Sequence, residues 1–336
     1  MKQIRLIELF SGVGAQASAL ERLKLPFDHW VTSEWEVNAV ASYNAIHIKD
    51  NTNYSLPFTD TQLTDRLYGL GISTDGKKPL TKEQIKRKNE KWKREVYNNF
   101  RATNNIGSIV NATANDLKIV DTDKYIYLLT YSFPCQDLSV AGKQAGMSKG
   151  SGTRSGMLWE VERLLYECNE LPQVLVMENV PQVHGKKFID DFNKWINSLE
   201  KLGYKNFWQD LNAKDYGVAQ NRNRTFMVSF LDGVEFKFPE PFMLDKTMKD
   251  YLEDDVDEKY YVDNEKTKAL IGSLIERDVL PNLSDTYSLK NMGSSDENRI
   301  PDGEKTDIAH TILSRDYKGF NNYGSNGVIQ KNTIGD

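Results

Sequence analysis

Through about the first 230 residues, short apolar runs alternate with stretches whose apolar positions recur at helical spacing. That pattern predicts an α/β layer structure around a largely parallel sheet. Ile4 to Phe10 predicts a first strand, Ser11-Gly12-Val13-Gly14 a turn, and Ala15 to Leu23 a helix. Trp30 to Ser33 predicts a second strand, followed by a helix over Val37 to Ile46. The run Tyr-Ile-Tyr-Leu-Leu-Thr marks Tyr125 to Ser132 as a strong strand. An amphipathic helix from Met157 to Cys168 precedes a strand at Val174 to Met177, and Thr225 to Phe230 predicts one more. Pro239-Glu240-Pro241 breaks the pattern, and residues 242–306 turn acidic and polar, as in a smaller second domain.

One stretch fits the alternation badly. Residues 49–110 have little strand character, and Lys82 to Arg101 predicts a single charged helix. Its basic residues are Lys82, Lys86, Arg87, Lys88, Lys91, Lys93, Arg94 and Arg101, with Trp92 and Tyr97 among them. A solvated helix on an insertion is the preferred reading. A face that tracks phosphates is the alternative, because cations interleaved with aromatics suit a nucleic-acid backbone.

Charge narrows the partners. With 43 basic against 48 acidic residues the net charge is −5, so nucleic acid is not held by bulk charge, although a local basic surface is compatible. Two cysteines make neither a disulfide framework nor a four-thiolate zinc site, and the four histidines are scattered. The expectation is a reduced, cytoplasmic chain without a structural metal. No apolar run approaches the ~18–20 residues that span a membrane, and the N-terminus is too charged for a signal peptide.

Candidate chemistry gathers at strand ends. Glycines after the first strand let the backbone turn tightly and approach a ligand, and the following helix offers unpaired N–H groups. Glu34, at the end of the second strand, is placed to accept both hydroxyls of a ribose, with Trp35 beside it to stack on an adenine. Asp116, ahead of the strand at Tyr125, could accept from an adenine amine. Nucleoside cofactor binding follows, without requiring a pyrophosphate. Ser132-Phe133-Pro134-Cys135-Gln136 also follows a strand, where open α/β sheets place their ligands. Cys135 stands between a proline and a Ser/Gly/Lys-rich segment running to Ser155, which reads as a mobile loop, so its thiol is a candidate nucleophile. Cys168, late in an amphipathic helix, reads as a buried thiol without a role. Glu178-Asn179-Val180 and Gln220-Asn221-Arg222-Asn223-Arg224 bring a carboxyl and guanidinium groups to further strand ends.

Together these residues resemble the DNA (cytosine-5)-methyltransferases of bacteria and phages. The resemblance rests on Phe10-Ser-Gly-Val-Gly14, Glu34-Trp35, Phe133-Pro-Cys-Gln136 with Ser139 and Gly142-Lys-Gln144, Glu178-Asn-Val180, Gln220-Asn-Arg-Asn-Arg224 and Ala309-His-Thr-Ile-Leu-Ser-Arg-Asp-Tyr-Lys-Gly319. These blocks stand in the family's usual order and cover residues 4–48 and 112–330. The resemblance implies a Rossmann-like, S-adenosylmethionine-dependent α/β methyltransferase fold with a small target-recognition domain. It implies residues 1–240 as catalytic and cofactor-binding, with 49–110 inserted, 241–306 as target recognition, and 307–336 as a return to the first domain. Cys135 would add to carbon 6 of a flipped-out cytosine, Glu178 would act at nitrogen 3, and Arg224, with Arg222 beside it, would hold oxygen 2. S-adenosylmethionine would be held by Phe10, Gly12, Gly14, Glu34, Trp35, Asp116 and Leu158. Pro134, Gln136, Ser139, Lys143, Gln144 and Asn179 would face the nucleotide or DNA, Asn179 chiefly by fixing local backbone. The loop from Gln136 to Ser155 would close over the extruded base.

The partners implied are double-stranded DNA and, in a restriction–modification setting, a cognate endonuclease, in a bacterial or phage-infected cytoplasm. The alternatives are an RNA cytosine methyltransferase, a non-enzymatic binding module and a dinucleotide-dependent oxidoreductase; the last leaves Cys135 and Glu178 without a task. The family's final block, which completes one wall of the cofactor pocket, is not found before Asp336. A truncated chain, a split enzyme with a second polypeptide, or a decayed copy would each account for that. The corresponding expectation is weak cofactor binding and slow or no turnover by this chain alone.

Overall fold

The computed structural model describes residues 2–138 and 145–253; beyond these it describes positions 257, 265, 269 and 276 and the segments 286–290, 302–305, 309–310 and 326–328. Two compact units result, residues 1–210 with 224–238, and residues 211–223 with 239–336. Ser139, Lys143 and Gln144 lie outside the described residues, as does most of the stretch expected to recognise the target.

The first unit is built on β1 (Gln3–Leu9), α1 (Ala15–Arg22), β2 (Phe27–Ser33), α2 (Val37–Tyr43), α3 (Asp60–Gly69), α4 (Lys82–Lys86), α5 (Glu90–Ala102), α6 (Ala114–Leu117), β3 (Tyr125–Tyr131), α7 (Leu158–Glu167), β4 (Val174–Asn179), α8 (Ile189–Lys201) and β5 (Lys205–Asn212). The short β6 (Gln220–Asn221) precedes β7 (Asn223–Phe230). Six strands form one sheet in the order β2-β1-β3-β4-β7-β5. The pairs β1–β2, β1–β3 and β3–β4 are parallel, and β4–β7 is antiparallel. Ile7, Leu9, Tyr127, Leu129, Leu175 and Met177 bury fully in the main core, joined by Leu164, Phe192 and Trp195 from the covering helices. Burying each such side chain contributes about 1.5–3 kcal/mol, which is why near-continuous apolar runs mark the central strands.

Register carries the site. Leu9 stands beside Ser33 and Tyr131, Tyr131 beside Met177, and Asn179 beside Thr225. One step beyond these pairs lie Phe10, Glu34 and Ser132, with Glu178 after Met177 and Arg224 before Thr225. The sheet therefore delivers all of them to one edge.

The charged helix expected over Lys82 to Arg101 is two helices. Asn89 accepts the Trp92 N–H at 2.8 Å and starts α5 afresh. Nor is the insertion merely solvated. Val96, Tyr97 and Phe100 of α5 pack with Val37 and Val40 of α2 and with Leu63, Leu67, Ile72 and Ile85. Lys93 is buried with its ammonium 2.6 Å from Asp60, and the Arg94 guanidinium donates to the carbonyls of Ser55 and Phe58. These two cations are committed to the fold, which leaves the exposed Lys82, Lys86, Arg87, Lys88, Lys91 and Arg101 as the phosphate-tracking candidates.

In the second unit Ala309–His310 pairs in parallel with Gln220–Asn221, and strands β8 (Thr286–Lys290), β9 (Asp302–Lys305) and β11 (Asn326–Val328) form an antiparallel sheet; Ala309–His310 is β10. Residues 309–310 thus pair with Gln220–Asn221, inside the 1–240 stretch expected as the first domain.

Candidate active site

The glycine turn closes on itself before α1 begins. Phe10, Gly12 and Gly14 all have positive φ, at +59°, +53° and +87°, and Gly14 N–H donates to the Ser11 carbonyl at 2.9 Å. A left-handed Phe10 stores strain of the kind found at ligand sites. A Cβ on Gly12 would meet nothing within 4 Å, so open space lies above the turn. Glu34 faces this turn. One carboxylate oxygen accepts the Gly12 N–H at 3.1 Å, and the other accepts the Trp35 and Glu36 N–H groups, each at 2.8 Å. Burial pushes its carboxyl above the usual range, against the lowering effect of those three N–H donors.

The insertion holds this edge in place. Ser73 bridges the backbone of Trp35 and Val37, and the Asn105 side-chain oxygen accepts the N–H groups of Glu34 and Gly107. Gly107 has φ +78°, and a Cβ there would fall 2.1 Å from the Leu70 carbonyl oxygen. Nothing in the sequence pattern singled out Ser73 or Asn105. Asp116 caps its own short helix, its carboxylate accepting from the N–H and hydroxyl of Thr113. The turn before it is clamped to α7, because Arg163 donates to the carbonyls of Ile109 and Ala112. The Leu158 side chain is wholly buried in the main core.

At the ends of β3 and β4 one buried amide joins two candidate segments. Asn179 donates to the Phe133 carbonyl at 3.0 Å and accepts the Val180 N–H at 2.8 Å. It thereby ties the Pro134-Cys135 turn to the strand carrying Glu178. Glu178 in turn pairs with Arg224, with Nε 3.0 Å from its carboxylate oxygen and both side chains about one-fifth exposed. Thr225, fully buried next to Arg224, donates to Asp210, which also faces His184. Arg222 belongs to the second unit, where its backbone pairs with Ala213 and Asn212.

The segment from Gln136 to Ser155, expected as a mobile loop, is anchored through its described residues. Ser155 donates to the Pro134 carbonyl, Asp137 accepts the N–H groups of Arg154 and Ser155, and the fully buried Leu138 and Met147 pack in the core. Gln136 itself is exposed. Cys135 is half-buried at the edge of that core, and Cys168 follows the last turn of α7. Burial pushes the Cys168 thiol up to about 11, with the Glu167 charge adding to the shift. At pH 8 only about one Cys168 in a thousand is then the reactive thiolate. Iodoacetamide at that pH is expected to label Cys135 well before Cys168, as read by peptide mass spectrometry; equal or faster labelling of Cys168 would contradict the assignment of Cys135 as the reactive thiol.

Residues 69–326 match the family model for the C-5 cytosine-specific DNA methylases. The chain belongs to that family. It is 40% identical over 268 residues to the orphan methyltransferase M.SssI of Spiroplasma monobiae, covering 78% of this chain and 68% of that protein. The type II methyltransferase M2.ScrFI of Lactococcus lactis subsp. cremoris is 38% identical over 266 residues, covering 78% of this chain and 71% of that one. The solved structure of the Entamoeba histolytica methyltransferase EhMeth shares the fold, with a TM-score of 0.52 at 17% identity, over 82% of this chain and 67% of that one. The protein is thus a DNA (cytosine-5)-methyltransferase with the α/β fold of S-adenosylmethionine-dependent methyltransferases. Among the described residues no helix is long and apolar enough to cross a membrane, and no group of three or more His, Cys, Asp or Glu side chains could hold a metal ion.

Proposed function

We propose that Cys135, Glu178 and Arg224 carry the methyl transfer on a cytosine drawn out of duplex DNA. The observation that carries this reading is the Asn179 bridge, which couples the Cys135 turn to the Glu178–Arg224 pair. A side chain at a sheet edge does not reach carbon 6 of a stacked base, so the nucleotide must be extruded.

The turn fits S-adenosylmethionine. Open space above Gly12, the Glu34 carboxylate facing that turn and the partly exposed Trp35 suit a ribose and an adenine. Phe10, Gly12, Gly14, Glu34 and Trp35 would hold the nucleoside, with Asp116 at the adenine amine and Leu158 supporting from the core. When bound, the cofactor supplies an electrophilic methyl on a sulfonium.

Carbon 5 of cytosine is a weak nucleophile. The Cys135 thiolate adds to carbon 6, forming a carbon–sulfur bond while the ring electrons move toward carbon 5 and nitrogen 3. Glu178 takes up a proton from solvent as the base enters and passes it to nitrogen 3 as that charge grows, and Arg224 holds oxygen 2 and polarises the ring. Arg222 has a positioning role. Carbon 5 would take the methyl group, the cofactor leaving as the neutral thioether S-adenosylhomocysteine; the carbon 5 proton then passes to water, nitrogen 3 returns its proton to Glu178, the carbon–sulfur bond breaks, and the thiolate leaves. Pro134 and Asn179 fix the turn that aims the thiol, and the exposed Gln136 would meet the nucleotide. Sequence readout falls to the second unit. The biological setting is protection of DNA against a cognate endonuclease, or of phage DNA.

Mixed-sequence duplex DNA incubated with the chain and S-adenosylmethionine should acquire bisulfite-resistant cytosines at one recurrent motif. Methyl incorporation into transfer RNA with none into duplex DNA would overturn this reading.

A further inference from the structure

Beneath the glycine turn lies a cluster of titratable side chains that the proposed chemistry leaves unused. Glu8 of β1, about 1% exposed, accepts the Ala17 N–H of α1 and the Tyr43 hydroxyl of α2. Burial raises its carboxyl above the ordinary range. The Tyr43 oxygen also accepts from His29 Nδ1 of β2 at 2.8 Å, and burial lowers His29, favouring its neutral form. Glu21 of α1 and Asp28 of β2 supply the neighbouring negative charge.

His47 completes the cluster and bonds to the turn, beside Tyr43, whose ring also lies under Gly14. It sits on a widened helical turn, Asn44–Ile48, closed by the Lys49 N–H on the Asn44 carbonyl five residues back. Such turns recur at functional sites. The His47 side chain is 0% exposed, so what remains accessible of the residue is backbone. Its Nδ1 lies 2.8 Å from the Glu21 carboxylate and its Nε2 lies 2.9 Å from the Val13 carbonyl oxygen. Both oxygens only accept. The ring is also wedged under Gly14, where a Cβ would fall 2.3 Å from Nε2.

We propose that His47 is a positioning residue for the cofactor turn, tying the Val13 carbonyl to Glu21 of α1 so that Gly12 and Gly14 are held in their open, left-handed shape. This inference rests on the assignment of the turn to S-adenosylmethionine. A fixed turn lowers the ordering cost of binding, so losing the tether weakens cofactor affinity rather than the chemistry that follows.

Calorimetric titration with S-adenosylhomocysteine, alongside thermal melting and steady-state kinetics, tests it. His47→Phe keeps the ring bulk without a donor; its Kd for S-adenosylhomocysteine and its KM for S-adenosylmethionine should rise about tenfold, with kcat at saturating cofactor unchanged. His47→Gln, which retains one N–H donor for Val13, should recover most of that loss. Glu21→Gln, at a half-exposed position suited to a variant that folds, removes the charge from the other end and should raise Kd by a few-fold. Unchanged Kd in His47→Phe, or in Glu21→Gln should His47→Phe not fold, would overturn the role of His47 and leave the cofactor assignment standing. Absence of any binding by the unaltered chain would overturn the cofactor assignment itself, and this inference with it.

Discussion

Replacing Glu178 with Gln is expected to lower methyl transfer by roughly 10²–10⁴-fold, the usual scale for a positioned acid. The variant keeps the length of the side chain and a hydrogen-bond donor but loses the proton that nitrogen 3 receives. It also leaves the Arg224 guanidinium, now 3.0 Å from a carboxylate oxygen, facing an uncharged amide. That change costs some stability, because one member of a largely buried pair loses its counter-charge. Melting separates the two effects. If the pair were only structural, the variant would melt lower yet turn over at a near-normal rate once folded. Affinity for S-adenosylhomocysteine should barely change, since Glu34 and Gly12 stand at the ends of other strands.

Cys135→Ser should abolish turnover, leaving activity at background. A serine hydroxyl fits the same half-buried position, but almost none of it is ionised near neutral pH, so the ring is not activated. Cys168→Ser should retain normal turnover, because that thiol is held protonated by burial. Measured together, tritiated methyl incorporation by the two variants distinguishes a specific nucleophile from a general sensitivity to losing a thiol. Comparable activity in both would remove Cys135 from the mechanism.

The parts of the fold that were legible in sequence are those whose burial leaves a pattern. β1, β3 and β4 have both faces covered, so their apolar runs stand out against charged helices. β5 was missed because it closes the sheet order as its last strand and mixes exposed and half-buried polar residues, which show no period of two. α8 starts at Ile189 with no side-chain cap from Phe188, so no N-terminal signal announced it. Asn89 did carry such a signal, which the continuous charge of residues 82–101 concealed.

The candidate site divides in the same way. Cys135, Glu178, Glu34 and the glycines were legible because strand ends and unusual residue types coincide there. Their supports were not. Asn105 reaches Glu34 from 71 positions away, Arg163 reaches Ile109 from 54, and His47 reaches Val13 from 34. Such long-range polar contacts depend on how the layers come together and leave no local trace. Asn179 is the exception: it was expected to fix local backbone, and its amide joins Val180 to Phe133.

Covalent trapping on duplex DNA bearing 5-fluorocytosine at the target tests the central claim most directly. Fluorine replaces the carbon 5 proton and cannot leave as a cation, so elimination of the enzyme stalls after methyl transfer. In the presence of S-adenosylmethionine, intact-mass spectrometry should show chain, DNA strand and one methyl group as a single covalent species, and digestion should place the link on the peptide containing Cys135. A chain that methylates ordinary DNA yet forms no such species, or a Cys135→Ser variant that still forms it, would contradict the account.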